Sequence, residues 1–423
     1  MPIINPDLQK LEEFLNNRAT ASVDLEETVK SIVNRVKSEG DKVLVELSKQ
    51  FEDTDVVAPF LVSKKEMEEA EKSLDPEVLE SLKFAAERIR KYHEKQKQES
   101  WSDEEDGITT GMIVRPLEAV GIYAPGGKAS YPSTVLMDAI PAKVAGCERV
   151  VLCTPPGKYL TKEVLAAAKI AEVDEVYAVS GTPSIAAMAF GTESIAPVDM
   201  ICGPGNAYIT EAKRQVQNKV RIDKPAGPSD VLIIADKNTN PAYAAADLLA
   251  QLEHEEGACA YLVTTDENLI GKVIDEVEKQ KENLSRKNII NVSWENNGVL
   301  ISVKSIEEAV KISNRVAPEH LQIMTEDPYE VLPGIKNAGA IFLGHYAPVP
   351  LGDYVAGPNH VLPTDGSARW SSPLNVDDFI KKSSLLHVTE KGFKKLKSAG
   401  ECLAEREGFT AHRDSIKIRN CKL

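Results

Sequence analysis

Ala119-Val120-Gly121-Ile122-Tyr123-Ala124-Pro125-Gly126-Gly127 is a short β-branched run that closes in a glycine turn, and the Ala-rich helical stretch Thr134 to Ala145 follows it. The same alternation continues outward from there. Strand-like runs recur about every 25 residues at Arg149 to Cys153, Glu175 to Val179 and Val198 to Cys202. A helical stretch, Thr161 to Ile170, lies between two of them, and Gly203-Pro204-Gly205-Asn206 leads from the last into a helix spanning Ala207 to Val220. Strand, helix, strand at this spacing predicts right-handed crossovers and a parallel sheet covered by helices on both faces. A second series follows: Asp230 to Ala235, Ala258 to Thr264, Val299 to Val303, Leu321 to Met324 and Ala340 to Leu343. The chain is therefore read as α/β, with two Rossmann-like parallel-sheet units of related architecture.

The flanks differ. The first hundred residues are helical in pattern. Asp75-Pro76 is a helix start, with Val78, Leu79, Leu82, Ala86 and Ile89 on one buried face. The polar stretch Tyr92 to Glu105 reads as exposed. Past Asp378, Lys381 and Lys382 open a basic helical patch, Phe393 to Arg406 is an amphipathic helix, and Ile416-Lys417-Ile418-Arg419 alternates like an edge strand. This tail is too short to hold a core alone. It carries Glu407 and His412, so packing on a partner subunit would build a site across an interface.

A chain of 423 residues has room for two or more domains. Apolar and charged shares of 42% and 27% are those of a globular protein. A net charge of −15 argues against a nucleic-acid surface and an anionic membrane, and it suits a cationic small substrate. Met1-Pro2-Ile3-Ile4-Asn5-Pro6 has no signal-peptide character, and no apolar run approaches the ~20 residues of a membrane span. These features predict a cytoplasmic protein. Of the six cysteines, four sit in or beside apolar or small-residue segments and read as small buried hydrophobes.

Four of the seven histidines lie in segments that read as a site: His254, His320, His360 and His412, accompanied by Gln251, Glu319, Asp353 and Glu407. Imidazole is both the commonest metal ligand and the side chain matched to proton transfer near neutral pH. Gln251 and His254, three apart in an expected helix from Ala245 to Glu256, would project from one face, although a surface hydrogen bond explains the spacing equally well. Adjacent Glu319 and His320 follow the turn at Pro318 and can serve separate proton transfers. Asp353 lies in a Pro- and Gly-dense loop from Pro348 to Pro363, where turn capping is the simpler role. His93, His345 and His387 read as surface or packing residues. The two glycine turns, at strand ends and before helices, together favour a dinucleotide, although the full Gly-x-Gly-x-x-Gly fingerprint is absent.

At these residues the sequence resembles the histidinol dehydrogenase family. The matching segments are Ile122 to Gly127, Phe190-Gly191-Thr192-Glu193-Ser194, Gly203 to Ala207, Pro225-Ala226-Gly227-Pro228-Ser229, Gln251 to His254, Ala317 to His320, Gly352 to Tyr354, Asn359 to Thr364 and Ala411-His412. They run in the family's order from about Asp24 to the terminus. The resemblance implies one zinc ion per subunit held by Gln251, His254, Asp353 and His412, with Glu319 and His320 as the acid/base pair. Ser229, His360 and Glu407 would bind substrate beside Glu319 and the metal ligands Gln251, His254, Asp353 and His412, and Tyr123 and Asn206 would touch NAD. It further implies two NAD-dependent oxidations of L-histidinol, through the aldehyde to L-histidine, in a homodimer with shared active sites.

The implied organisation is an N-terminal helical segment at 1–24, a metal-bearing α/β domain made of 25–115 and 232–377, an NAD-binding domain at 116–231, and a C-terminal tail at 378–423. One departure stands out: Pro183, in Gly181-Thr182-Pro183-Ser184, replaces a glutamine that the family places near NAD, and it offers neither a side-chain amide nor a backbone N–H. Two other readings are a relative that oxidises another primary alcohol, such as a sulfopropanediol, and an inactive metal- and nucleotide-binding regulatory protein. Glu407 has no use with an anionic substrate, and the intact Glu319-His320 pair argues against an inactive protein.

Overall fold

The computed structural model describes residues 2–5, 8–16, 23–52, 54–126, 130–224 and 227–420. Gly127, Pro225 and Ala226 of the motifs above lie outside the described residues. The chain divides into two units, Met1–Gln96 with Leu117–Phe379, and Lys97–Pro116 with Ile380–Leu423.

The first unit holds two six-stranded sheets. In one, the strands Glu175–Ala178, Arg149–Thr154, Ala119–Tyr123, Met200–Cys202 and Arg221–Ile222 lie side by side in that order, all parallel. Leu61–Val62 adds an antiparallel edge. In the other, the order is Ile3–Ile4, Gly298–Ser302, Cys259–Thr264, Asp230–Ala235, His320–Met324 and Ala340–Leu343, parallel throughout. In both sheets the first strand of the series sits mid-sheet and the order reverses beside it, the doubly wound arrangement expected from the two strand series. Asp230–Ala235 and Cys259–Thr264 are buried along their whole length, because helices cover both faces.

Helix starts follow the local chemistry. Asp75 caps the helix Pro76–Glu94, accepting from Glu77 N at 2.9 Å with Pro at the first position. Its buried face carries Ala85, Ala86, Ile89 and His93, whereas Val78 is exposed. Asn240 caps Pro241–Leu252 in the same way. The helices within residues 25–94, part of the 25–115 that the sequence reading grouped with 232–377, pack instead against the sheet of residues 119–222. Val29, Val33, Leu44 and Leu47 share a core with Tyr123, Ile185 and Ile201, and Met67, Ala86 and Ile89 share one with Val120 and Leu136. Periodicity shows that a helix has an apolar face and is silent on which sheet receives it.

The second unit contains a three-stranded antiparallel sheet, ordered Ile380–Val388, Ile108–Pro116, Trp101–Glu105. The helices Glu390–Arg406 and Thr410–Lys417 complete it. Two expectations fail here. Lys381 and Lys382 lie in a strand, because nine consecutive residues of that segment pair with Ile108–Pro116. Ile416 to Arg419 is helical, and a Cβ placed on Gly400 of the preceding helix would lie 2.8 Å from the Ile416 side chain. Trp101–Glu105, within the stretch expected to be exposed, is an exposed strand. Among the described residues no helix is long and apolar enough to cross a membrane.

Candidate active site

The acid/base candidates stand at the amino end of one strand, beside the amino end of its neighbour, where the order of the second sheet reverses. Ser229 immediately precedes Asp230–Ala235, and Glu319 immediately precedes His320–Met324. Glu319 and His320 are both buried. The two strand heads clasp each other: Glu319 N–H donates to Asp230 Oδ1 at 2.6 Å, and Asp230 N–H donates to Glu319 Oε2 at 3.2 Å. His320 Nδ1 lies 2.9 Å from the Asp230 carbonyl. A carbonyl only accepts, so Nδ1 carries a proton in either charge state, and Nε2 holds the lone pair when the imidazole is neutral. Nε2 lies 3.7 Å from Asp353 Oδ1, and Nδ1 lies 3.7 Å from Glu319 Oε2.

Electrostatics follow from this crowding. Burial pushes the Glu319 carboxyl up to about 7, with His320 opposing and the Asp230 charge adding to the rise. Burial alone would lower the His320 value, but the carboxylates of Glu319 and Asp353 outweigh it and hold the imidazole above its ordinary range. Asp353 runs the other way: burial would raise it, and His320, His360 and His254 draw it below the usual carboxylate range. His360, half-buried, donates from Nδ1 to the Asp353 carbonyl at 2.8 Å, and desolvation lowers its pKa.

Gln251 is buried near the end of Pro241–Leu252. His254 does not share its helical face, because the helix stops at Leu252 and His254 lies in the following turn, held by its own N–H to Gln251 O and by Arg286 on its carbonyl. His254 is exposed by surface area, yet the desolvation around its ring holds it below the ordinary value, as suits a neutral ligand. The Asp353 carboxylate opposes that desolvation.

The structure thus brings Ser229, His254, Glu319, His320, Asp353 and His360 into one electrostatic neighbourhood in the first unit, with Gln251 one turn from His254. Glu407 and His412 belong to the second unit and are exposed, His412 lying against the Phe409 ring. Among the described residues no three His, Cys, Asp or Glu side chains are grouped closely enough to hold a metal ion. The expected four-ligand set is therefore not assembled in the first unit, because His412 lies on the other one. The remaining donors still fit a borderline divalent cation, an imidazole, a carboxylate and the Gln251 amide, whose buried nitrogen has no hydrogen-bond partner.

Tyr123 and Asn206 lie at the carboxyl ends of neighbouring strands at the switch point of the first sheet. Asn206 accepts from Tyr208 N and Ile209 N and so caps Ala207–Val216. The Tyr123 hydroxyl accepts from Gly181 N at 3.4 Å. Pro183 is buried in the helix Gly181–Phe190. Cys147, Cys153, Cys202 and Cys259 are all buried, and burial pushes the Cys147 and Cys153 thiols up to about 11 and 12, far from a nucleophile's range.

Sequence reasoning missed Asp230. The available signal was an acid opening the otherwise apolar run Val231 to Ala235, since a buried strand tolerates a carboxylate only where partners await it. His93, read as a surface or packing residue, is buried and lies 3.3 Å from Asn359, the neighbour of His360.

Two doubly wound sheets, one ending in glycine turns at its switch point and the other carrying a buried acid–imidazole pair, define an α/β oxidoreductase. The chain belongs to the histidinol dehydrogenase family, whose model matches residues 15–420. It is 50% identical over 417 residues to a histidinol dehydrogenase of Clostridium acetobutylicum, covering 98% of this chain and 96% of that protein. It is 48% identical over 413 residues to one of Aquifex aeolicus, covering 97% and 96%. The crystal structure of histidinol dehydrogenase from Elizabethkingia anophelis superposes with a TM-score of 0.93 at 38% identity, covering 98% and 96%. An acetylating aldehyde dehydrogenase from Geobacillus thermoglucosidasius shares the fold, with a TM-score of 0.51 at 16% identity, covering 90% of this chain and 97% of that one.

Proposed function

We propose that this chain oxidises L-histidinol to L-histidine through histidinaldehyde, in two successive NAD-dependent steps, as an enzyme of histidine biosynthesis. The observation that carries the reading is the buried Glu319–His320 pair, locked to Asp230 so that Nε2 is the nitrogen that accepts a proton once His320 is neutral. In the first step Nε2 accepts the hydroxyl proton of the primary alcohol. Hydration of the aldehyde needs a base for water, and Glu319, with its pKa raised to about 7, ionises close to neutral pH and takes that proton. His320 serves again when the hydrated aldehyde gives up its second hydroxyl proton. Ser229, His360 and Glu407 bind and orient the substrate together with the metal donors. NAD, when bound at Tyr123 and Asn206, supplies the two-electron acceptor of each oxidation. Zinc, when bound, supplies positive charge that orients the amino alcohol and offsets the Asp353 charge that keeps His320 protonated.

Gln251, His254 and Asp353 would hold the ion, with the fourth ligand being His412 of the partner subunit, which also brings the partner's Glu407. This homodimer reading is supported by the second unit, whose Leu386, Leu403, Phe409 and Ile418 are each more than half exposed, between 54% and 70%. The negative net charge of −15 suits a cationic imidazole-bearing substrate, and we place the enzyme in the cytoplasm.

The deciding experiment compares NADH formation with L-histidinol and with dihydroxypropane sulfonate, alongside metal analysis of the same protein. Turnover of histidinol by a zinc-loaded protein is expected. Turnover of the sulfonate in its place would move this chain to another branch of the superfamily, and no turnover of either would remove the activity.

A further inference from the structure

The turn Gly203-Pro204-Gly205-Asn206 is tied to the protein interior by a buried ion pair that the proton chemistry does not use. Gly203 sits in the left-handed region at φ +114, and a Cβ there would lie 2.2 Å from the Tyr123 carbonyl oxygen of the adjoining strand. No side chain fits, so the backbone of this residue passes directly over the switch point. Both of its polar groups turn inward. Gly203 N–H donates to Asp223 Oδ2 at 3.0 Å, and its carbonyl accepts from Lys213 Nζ at 2.9 Å. Lys213 and Asp223 pair with each other, and their side chains are only 3% and 2% exposed.

Lys213 stands on the helix Ala207–Val216, two turns beyond the cap Asn206, so it ties the body of that helix back to the strand end from which it starts. The helix amino terminus is thereby aimed in one direction. Beside the pair, Asp138 is fully buried, with the Cys202 thiol against its carboxyl group. Burial, then the charge of Asp223, push its pKa well up. The remaining nearby cation, Lys224, is engaged by the Ser372 carbonyl. The polar contacts of Lys213 are those to Asp223 and the Gly203 carbonyl.

We propose that Lys213 and Asp223 are positioning residues that hold the Gly203–Asn206 turn and its helix terminus in the geometry that receives the dinucleotide. This rests on the reading of that turn as the NAD seat. The pair touches no reacting atom, so its removal loosens cofactor binding and leaves the substrate pocket alone.

The test is the full-length, metal-loaded enzyme with Lys213→Met, and with Lys213→Met combined with Asp223→Asn. The double variant leaves no lone buried charge, which is the usual reason for a single variant of this kind to misfold. Binding of NAD is measured by titration without substrate, and KM for NAD and for histidinol by steady-state kinetics. The expected result is a rise of about tenfold in both the NAD dissociation constant and its KM in both variants, the scale set by losing one charge-assisted hydrogen bond. KM for histidinol and zinc content should stay within about twofold, inside ordinary surface-mutation effects. Equal rises in the two KM values, or NAD binding equal to wild type in folded variants, would overturn the proposal. So would failure of both variants to fold, which would make the pair a stabilising element only. Wild-type protein that binds no NAD would remove the functional reading of the turn, and this inference with it.

Discussion

Replacing Asp230 with Asn tests whether the strand-head clasp governs the proton chemistry. The substitution preserves shape and leaves the Asp230 carbonyl in place for His320, so the imidazole tautomer is retained. What changes is the 2.6 Å bond from Glu319 N–H, which loses a charged acceptor, and the negative charge beside the Glu319 carboxyl. A charge-assisted hydrogen bond contributes about 1.5–3 kcal/mol and a neutral one about 1. The difference, about 0.5–2 kcal/mol, corresponds to roughly 2- to 30-fold in rate if the alignment matters chiefly in the transition state. The charge has a separate, signed consequence. Because Asp230 raises the Glu319 pKa, removing it lowers that pKa, and the acidic limb of the kcat profile should move to lower pH. The assay is NADH formation from histidinol across the pH range, with KM and melting temperature measured in parallel. We expect kcat to fall about tenfold with KM for histidinol nearly unchanged, and the acidic limb to shift downward. A variant with wild-type kcat and an unmoved limb would refute the positioning role. Loss of thermal stability without a kinetic change would reduce the clasp to a fold contact.

Three further outcomes are expected. His320→Asn and Glu319→Gln should retain zinc by metal analysis while losing about 10²- to 10⁴-fold in turnover, and full activity in either would break the role assignment. Truncation after Gly408 should abolish activity, and mixing it with full-length Glu319→Gln should restore part of it through hybrid dimers; absence of complementation would count against a shared site. Asp247 is buried with its pKa raised to about 6, chiefly by desolvation. The folded state therefore holds this proton more tightly than the unfolded chain, and the associated stability is complete below about pH 4 and lost as pH rises through about 6. Asp247→Asn should be more stable than wild type by about 2–3 kcal/mol at pH 8 and equal to it near pH 4 in denaturant titrations. A constant difference across that range would show that ionisation is not the cause.

Much of this was legible without coordinates. The β-branched runs ending at Tyr123, Cys202 and Ala235 marked the strands, because a strand buried on both faces needs an unbroken apolar run. Asp75-Pro76 marked a helix start, and two glycine turns marked the carboxyl ends of strands. Lys381 to Val388 misled, since a lysine pair carries no preference strong enough to outweigh nine backbone pairings with Ile108–Pro116. Ile416 to Arg419 misled for the opposite reason: two isoleucines at alternate positions also suit a helix that packs on Gly400.

The linear chain, then, determined local state and family: which segments become strands, where backbone turns demand glycine, and the spaced Gln, His, Glu and Asp residues on which the resemblance to histidinol dehydrogenases was read. Only the tertiary structure decided alliances. It carried the helices within residues 25–94 to the first sheet, and it placed Glu319 and His320 at the amino end of a strand of their sheet while the glycine turns occupy carboxyl ends. It also set Asp230 against Glu319 and Lys213 against Asp223, contacts spanning 89 residues in one case and 10 in the other. The reason is that periodicity reports whether a side chain is buried, whereas the identity of its neighbour depends on strand order and register, which arise from long-range packing and leave no local mark.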